Sequence, residues 1–209
     1  MASNNYIYKM SNAGGFKSLT RYYDMLAGNT TWNPWEPAGA YESIATTTVG
    51  AGGASTITFS SIPSTYTHLQ VRLIARGNNA NTYDSFILRA NSDSGNNYTF
   101  HSLGGDGSTA SAGAIAPYGA YRGWEITGAN ATSGMFGAGV VDILDYANTN
   151  KYKTARMLGG NDRNGSGGLS LTSGVWMNTA AITSIVVAPV FGSSFVQYSS
   201  FALYGIRGN

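Results

Sequence analysis

The chain contains two histidines, His68 and His101, which are the first candidates for acid–base chemistry. A serine-type hydrolase needs a nucleophile, a histidine base and an acidic group that orients the base. His68 alternates with Gln70 and Arg72 on the polar side of a predicted strand. His101 is followed directly by Ser102, and neighbouring strand residues point to opposite faces of a sheet, so these two cannot form a hydrogen-bonded pair. Catalysis by either histidine is therefore not expected.

The carboxylates offer no obvious catalytic pair either. Asp142 and Asp145 are three positions apart on a predicted strand, and an odd offset sends them to opposite faces. A glycosidase needs two carboxylates that face one sugar. We expect Asp145 instead to order the turn near Asn148 through hydrogen bonds of its side chain.

Three aspartates in loops rich in glycine and asparagine, Asp93, Asp106 and Asp162, could offer oxygen ligands to Ca²⁺. None has the alternating acidic spacing and the distant glutamate of a calcium-binding loop. Zinc is disfavoured because the chain has no cysteine and only two isolated histidines. The sequence therefore predicts a protein that is not an enzyme. It has no predicted catalytic residue, metal or cofactor.

Four basic residues, Lys151, Lys153, Arg156 and Arg163, form a modest cluster, which favours a solvated loop face or an ion-pairing contact between subunits. The glycine-rich run 159–168 lacks the Gly-Lys-Ser/Thr ending of a phosphate-binding loop. The formal net charge is only +2, whereas binding a polyanion requires many clustered cations. No nucleic-acid partner is expected.

The sequence also shows neither a membrane-spanning segment nor a signal-peptide pattern. No stretch approaches the roughly 20 apolar residues of a membrane span. The N-terminus lacks the charged and then apolar order of a signal peptide. We expect synthesis in a cytoplasm, followed by assembly or release.

The composition indicates an all-β fold. Only 11% of the 209 residues are charged, and Gly, Ser, Thr and Asn together make 89 of them; these residue types favour turns and strands over helices. Apolar and β-branched runs recur between clusters of Gly, Asn and Ser, as in a sandwich or barrel. Eleven strands are predicted, over 41–49, 55–59, 67–76, 83–90, 98–103, 121–126, 135–146, 151–158, 169–177, 182–190 and 198–206.

The clearest strand, 67–76, has one apolar face that we expect to be core, formed by Leu69, Val71, Leu73 and Ala75. The runs 77–81, 91–97, 104–108 and 159–168 are predicted to be turns, because their glycines accept positive φ at little steric cost. Trp124 and Trp176 lie inside predicted strands and are expected in the core.

Residues 1–40 differ from the body at 41–209 and are predicted to form an extended arm. Phe16, Leu19, Tyr22, Tyr23 and Leu26 fit one side of a short helix that ends at Gly28. A segment broken by prolines follows and carries two tryptophans, which need a surface to dock on. That surface is either the flank of the same chain or a neighbouring subunit. The predicted anchors are Tyr22, Tyr23, Leu26, Trp32 and Trp35.

The C-terminal run Tyr198-Ser-Ser-Phe-Ala-Leu-Tyr-Gly-Ile-Arg-Gly-Asn209 resembles the closing strand of a group of structural proteins from tailed bacteriophages, many of them aquatic and cyanobacterial phages. The resemblance extends to 140–156, 41–49 and 57–72. It implies an antiparallel jelly-roll-like β-sandwich that serves in the virion without catalysis. It carries over no catalytic or ligand residues.

The resemblance leaves two roles open. The first is a capsid cement or decoration protein on the capsid exterior, a homo-oligomer that stabilises the major capsid protein shell; a trimer is expected by analogy with shell proteins at three-fold positions. The alternative is a tail-fibre or adaptor module that contacts other tail proteins or host-surface glycans. In both roles the partners are proteins or glycans, with no nucleic acid and no membrane.

Overall fold

The computed structural model describes residues 40–208, which contain twelve β-strands and no helix. The arm with its predicted helix, and with the anchors Tyr22, Tyr23, Leu26, Trp32 and Trp35, lies outside the described residues. The strands are β1 (Tyr41–Thr48), β2 (Ile57–Phe59), β3 (His68–Ala75), β4 (Tyr83–Ala90), β5 (Tyr98–Gly105), β6 (Ala110–Tyr118), β7 (Tyr121–Thr127), β8 (Gly137–Leu144), β9 (Lys153–Asp162), β10 (Gly167–Trp176), β11 (Ile185–Pro189) and β12 (Ser200–Ile206).

The prediction of an all-β antiparallel sandwich is confirmed, and all eleven predicted strands are present. Strand β6 was missed because its sequence, Ala-Ser-Ala-Gly-Ala-Ile-Ala-Pro-Tyr, has small residues where an alternating apolar pattern would be sought. Its first eight residues are exposed on both faces. Strand β6 therefore owes its conformation to pairing with β5 rather than to burial of its own side chains.

The strands form two antiparallel sheets. One has eight strands in the order β1-β12-β3-β8-β9-β10-β5-β6, and the other has four in the order β2-β11-β4-β7. When the hairpins β5–β6 and β9–β10 are set aside, eight strands remain. They pair first with last (β1 with β12), second with seventh (β2 with β11), third with sixth (β3 with β8) and fourth with fifth (β4 with β7). This is the order of one long hairpin rolled into two sheets, which is a jelly roll.

The two hairpins that interrupt the jelly roll extend its larger sheet. Strand β9 pairs with β8, β10 pairs with β9, and β5 joins β10, so four added strands continue the sheet beyond the jelly-roll edge. We call β9, β10, β5 and β6 the extension. The smaller sheet contains no strand beyond β7 on this side, and the far end of the extension therefore lacks a facing sheet among the described residues.

The core lies between the two sheets of the jelly roll. The inward face of β3, predicted from its alternation, is confirmed: Leu69, Val71, Leu73 and Ala75 are all buried. They meet buried side chains of the smaller sheet, with further apolar residues from β8 and β12. These are Phe86, Leu88, Ile185, Val187, Val141, Ile143, Phe201 and Leu203.

An aromatic cluster closes the core beneath the extension. Trp176 stacks with Tyr98 at a ring-centroid distance of 6.2 Å, and Tyr98 meets Tyr121 edge-on at 5.1 Å. The Tyr121 hydroxyl donates a hydrogen bond of 2.7 Å to the carbonyl of Lys153. The prediction that Trp176 is a core residue is thereby confirmed, since only 1% of it is exposed.

The predicted turn at 159–168 is wrong for most of its length. Residues 159–162 continue β9 and residues 167–168 begin β10, so the turn is limited to 163–166, with Asn164 and Gly165 at positive φ. The glycines of the strands serve close packing instead. A side chain at Gly159 would meet the Trp124 carbonyl oxygen at 2.8 Å, and one at Gly137 would meet the Glu125 carbonyl oxygen at 2.7 Å.

Candidate functional site

The outward face of the large sheet carries a row of exposed apolar side chains. Val140, Leu158, Leu171 and Leu103 occupy directly paired positions on β8, β9, β10 and β5. Ile74, Ala138, Gly160 and Leu169 form the adjacent row. The five largest of these side chains expose between 53% and 60% of their surface. We call this surface, defined by Ile74, Leu103, Val140, Leu158, Leu169 and Leu171, the leucine face.

A hollow of about 570 Å³ lies within the leucine face. Its floor is formed by Ala138 and Gly160, which stand between the larger Ile74 and Leu169 in the same cross-strand row. One surface thus offers both protruding leucines and a depression. An apolar patch rimmed by polar groups is typical of a protein–protein contact rather than of a free surface.

The rim of the leucine face is polar and well ordered. The Gln70 side chain donates a 2.7 Å hydrogen bond to Asp142 and accepts one of 2.6 Å from Arg72. The Arg72 guanidinium also lies 5.2 Å from the ring centroid of Tyr204 and 5.6 Å from that of Tyr41. Such an apolar centre with a polar border has the anatomy of an interface.

A second surface opens on the opposite side of the extension, at the mouth of the sandwich. A cavity of about 390 Å³ lies between the inward side of β5, β6 and β10 and the residues Tyr83, Trp124 and Glu125 of the smaller sheet. Its lining is rich in serines and glycines and also includes Leu103 and Leu169, which belong to the leucine face as well. We call this cavity the tryptophan cleft.

Strand β7 has an irregular register with β4 at Trp124 and Glu125, and at this point three strands of the larger sheet have glycines facing it. Gly137, Gly159 and Gly168 lie on β8, β9 and β10, and a side chain on any of them would collide with Trp124 or Glu125. Glu125 itself has a φ of +68°, a conformation that costs a non-glycine residue energy and is concentrated at functional positions. Its carboxylate lies directly over Gly168.

The cleft contains two carboxylates with opposite electrostatic behaviour. Burial raises the pKa of Glu125, although Arg163 at 3.8 Å and an amide hydrogen bond from Asn161 oppose the effect. The backbone amides of Thr109 and Ser108 donate to Asp106 and lower its pKa to about 2. Asp106 is therefore ionised at neutral pH. A raised pKa in a cavity, such as that of Glu125, is a marker of functional sites.

Trp124 packs beside the cleft in a group of cationic and aromatic side chains. The guanidinium of Arg122 lies 3.9 Å from the Trp124 ring centroid and 5.2 Å from that of Phe191, while only 8% of Arg122 is exposed. Phe191 in turn meets Tyr83 edge-on at 6.4 Å. The expectation that Trp124 is a core residue is wrong, because its side chain is only partly buried, lies at the cleft and does not belong to the buried core cluster.

The predicted acid–base candidates are engaged in local structure. His68 Nδ1 accepts a 3.0 Å hydrogen bond from the backbone amide of Asp145. The Asp145 side chain pairs with Lys151, whereas the amide of Asn148 donates at 3.0 Å to the backbone carbonyl oxygen of Asp145 and not to the side chain that was expected to order this turn. Asp142 binds Gln70 instead, so the two aspartates have different partners.

The three loop aspartates lie in separate turns. Asp93 accepts the Trp176 indole N–H at 2.7 Å, which lowers its pKa, and Asp162 accepts the amide of Asn164 at 2.8 Å. Within residues 40–208, no group of three or more acidic or histidine side chains is placed to hold a metal ion.

The four basic residues do not form one face. Lys153 is fully buried, and its ammonium donates to the carbonyl oxygens of Lys151 and Thr179 at 2.9 and 3.0 Å. Arg163 donates to Asn161 at 2.7 Å beside Glu125, whereas Arg156 is exposed on β9. The expected basic loop surface is therefore divided between the interior, the outward face of β9 and the turn that follows β9.

Sequence analysis missed the leucine face. The alternation in Leu169-Ser-Leu-Thr-Ser-Gly was visible, but alternation does not say which side of a strand is inward. A row of leucines shared by three strands becomes evident only when the strand register is known.

Comparisons with known proteins do not identify the chain: no family model, no curated protein and no solved structure matches it. Among the described residues, no helix is long and apolar enough to cross a membrane. The class that the structure itself defines is an antiparallel jelly-roll sandwich with an extended sheet.

Proposed function

We propose that this chain is a non-enzymatic structural protein of a tailed-phage virion, and specifically a capsid cement or decoration protein. Copies of the chain pack against each other through the leucine face and, as an oligomer on the capsid exterior, stabilise the major capsid protein shell. The observation that carries the proposal is the leucine face. A chain that stays in a permanent assembly can keep such a surface covered.

A second copy of the chain is the occupant that this surface favours. Protruding leucines and a hollow occur on the same face, so two copies related by a two-fold axis can place the leucines of one in the hollow of the other. Self-complementarity of one patch is the requirement of an isologous contact. The trimer expected by analogy remains a separate prediction, which a mass measurement tests.

The size of the leucine face limits what it does alone. Full burial of a leucine or isoleucine contributes roughly 1.5–3 kcal/mol, so covering the exposed half of five such side chains contributes about 4–8 kcal/mol. Association costs roughly 4–15 kcal/mol. The face therefore supports a modest contact, and tight attachment to the shell requires further area. We assign that area to the arm, with Tyr22, Tyr23, Leu26, Trp32 and Trp35 as its anchors on the major capsid protein.

The mass of the full chain in solution tests the leucine face. We expect an oligomer for the wild type and a folded monomer for the double variant Leu158→Asp/Leu171→Asp, measured by light scattering with circular dichroism as the folding check. Tyr152→Asp is the matched control, because Tyr152 is 54% exposed but lies off the leucine face. A wild-type monomer, or a double variant that stays oligomeric, would contradict the proposed contact.

Removal of residues 1–40 tests the arm. The remaining chain should fold but fail to decorate capsids, since the aromatic anchors would be gone. Occupancy of purified shells is measured by densitometry after incubation with excess protein. Undiminished occupancy by the truncated chain would refute a role for the arm.

A tail-fibre or adaptor module that contacts host glycans is the second candidate, favoured by the tryptophan cleft with its Tyr83 and Trp124 rings. Copy number separates the two roles. Densitometry of purified virions against the major capsid protein gives a comparable number of copies for a shell protein and a small fraction of that number for a tail protein.

A further inference from the structure

We propose that the tryptophan cleft is a binding site for an uncharged saccharide. The inference stands on the cleft alone and holds for either location on the virion. A volume of about 390 Å³ lies within the roughly 300–1,000 Å³ typical of small-molecule sites. The cleft combines aromatic rings, hydroxyls and carboxylates, the groups that meet the apolar and polar sides of a sugar ring.

The floor of the cleft presents hydroxyls that have no hydrogen-bond partner among the residues that the structure describes. Ser102, Ser111 and Ser170 line it, and none of their side chains forms a hydrogen bond within residues 40–208. None of these three hydroxyl oxygens is among the fully buried polar atoms that lack a hydrogen-bond partner, so solvent can reach them. Each hydroxyl can donate and accept, which suits the hydroxyl groups of a saccharide.

The rings of Tyr83 and Trp124, which we call the aromatic wall, supply the apolar part of the site. Tyr83 is 42% exposed and Trp124 is partly exposed. The indole N–H of Trp124 is buried without a hydrogen-bond partner among the described residues, so the ring offers apolar surface rather than a donor. Arg122 and Phe191 hold this wall in place, and a preordered wall lowers the entropy cost of binding.

The charges at the cleft select an uncharged ligand. Of the residues that the structure describes, Glu125 and Asp106 line the cleft and no lysine or arginine does, while Arg163 lies behind Glu125 at 3.8 Å. Carboxylates accept hydrogen bonds from sugar hydroxyls but repel a uronic acid, a sialic acid or a phosphate. A nucleotide or an acidic polysaccharide is therefore disfavoured, and a neutral oligosaccharide is favoured.

Nuclear magnetic resonance of the isotope-labelled full chain tests the site. Neutral trisaccharides of glucose, galactose, mannose and N-acetylglucosamine are titrated to millimolar concentration, with trigalacturonic acid as the acidic probe. We expect at least one neutral trisaccharide to shift the amide signals of Ser102, Gly104 and Gly168 together with the Trp124 indole signal. The acidic probe should leave those signals unchanged.

Two variants and a control establish whether the aromatic wall binds the ligand. Trp124→Ala and Tyr83→Ala should each weaken binding at least tenfold. Tyr83→Ala remains informative if Trp124→Ala fails to fold, because Tyr83 is the more exposed of the two. Tyr152→Ala removes an exposed tyrosine outside the cleft, 54% exposed against 42% for Tyr83, and should bind as the wild type. The proposal is overturned if no neutral trisaccharide shifts the cleft signals, if the acidic probe binds better, or if Tyr83→Ala binds undiminished.

Discussion

Strand β3 of the jelly roll and the first half of β10 in the extension place their large side chains on opposite sides of one continuous sheet. On β3 the inward Leu69, Val71 and Leu73 are buried. On β10 the inward positions include Ser170 and Thr172, while Leu169 and Leu171 point outward and are more than half exposed. The usual relation between apolar residues and the interior is therefore reversed within a few strands.

The reversal has a physical cause in the smaller sheet, which within residues 40–208 contains no strand beyond β7 on this side. Beneath the jelly roll, the facing sheet supplies apolar side chains to pack against. Where β7 faces β8, β9 and β10, it lies so close that glycines are required at 137, 159 and 168, and beyond it the cleft is open. The outward leucines of the extension, Leu103, Leu158, Leu169 and Leu171, are consequently accommodated where another molecule can cover them.

The largest difference is expected between alanine substitutions on the two faces. Leu69→Ala should lower the free energy of unfolding by about 3 kcal/mol, because it leaves a cavity in a closed core. Leu171→Ala should cost less than about 1 kcal/mol, since that side chain is already half in water. Urea denaturation at a concentration where the chain is monomeric measures both. Equal losses in the free energy of unfolding would mean that the two faces do not differ in how their leucines are packed.

A smaller loss is expected from filling the contact between β7 and β9. Gly159→Val should cost about 2 kcal/mol, because its side chain would collide with the Trp124 carbonyl and overpacking forces backbone shifts. Gly113→Val is the control, as the nearest atom to a side chain there is the Ser102 hydroxyl at 3.6 Å. A Gly159→Val variant as stable as the control would show that β7 is free to move away.

Thr172→Val should stabilise the chain by about 1 kcal/mol. The Thr172 hydroxyl is buried and has no hydrogen-bond partner within the described residues, and replacing an unpaired polar atom by an apolar one of the same shape removes its desolvation cost. Thr99→Val, on the outward side of β5, should change little. A loss of stability in Thr172→Val would indicate that a water or a ligand satisfies the hydroxyl.

The smallest effect is expected in the pH dependence of folding stability, through Glu125. The raised pKa of Glu125 means that the folded chain holds this proton more tightly than the unfolded chain. Its contribution to stability is therefore present below the unfolded value of about 4.5 and is lost as pH rises through the raised folded value. Glu125→Gln removes this dependence, so variant and wild type should diverge as pH rises across that interval. Parallel thermal melting temperatures from acid to neutral pH would contradict the burial of this carboxylate.

Prediction from sequence succeeded where local pattern and composition carry the information. Strand 67–76 was located and oriented correctly because its alternation is regular and its inward face is covered. Prediction failed for β6, whose small residues carry no pattern, and for 159–168, where glycines allow close packing of β7 rather than a turn. The partners that Trp124 and Glu125 meet depend on strands distant in the chain.

The amino-acid sequence by itself determined that residues 40–208 form strands and turns rather than helices, because Gly, Ser, Thr and Asn disfavour helices and the alternating apolar runs suit a pleated surface. For the strands of the extension, only the tertiary structure decided which side is covered. That choice depends on how far the second sheet reaches, and a period of two residues is the same whichever face turns inward. The leucine face and the tryptophan cleft both follow from that choice.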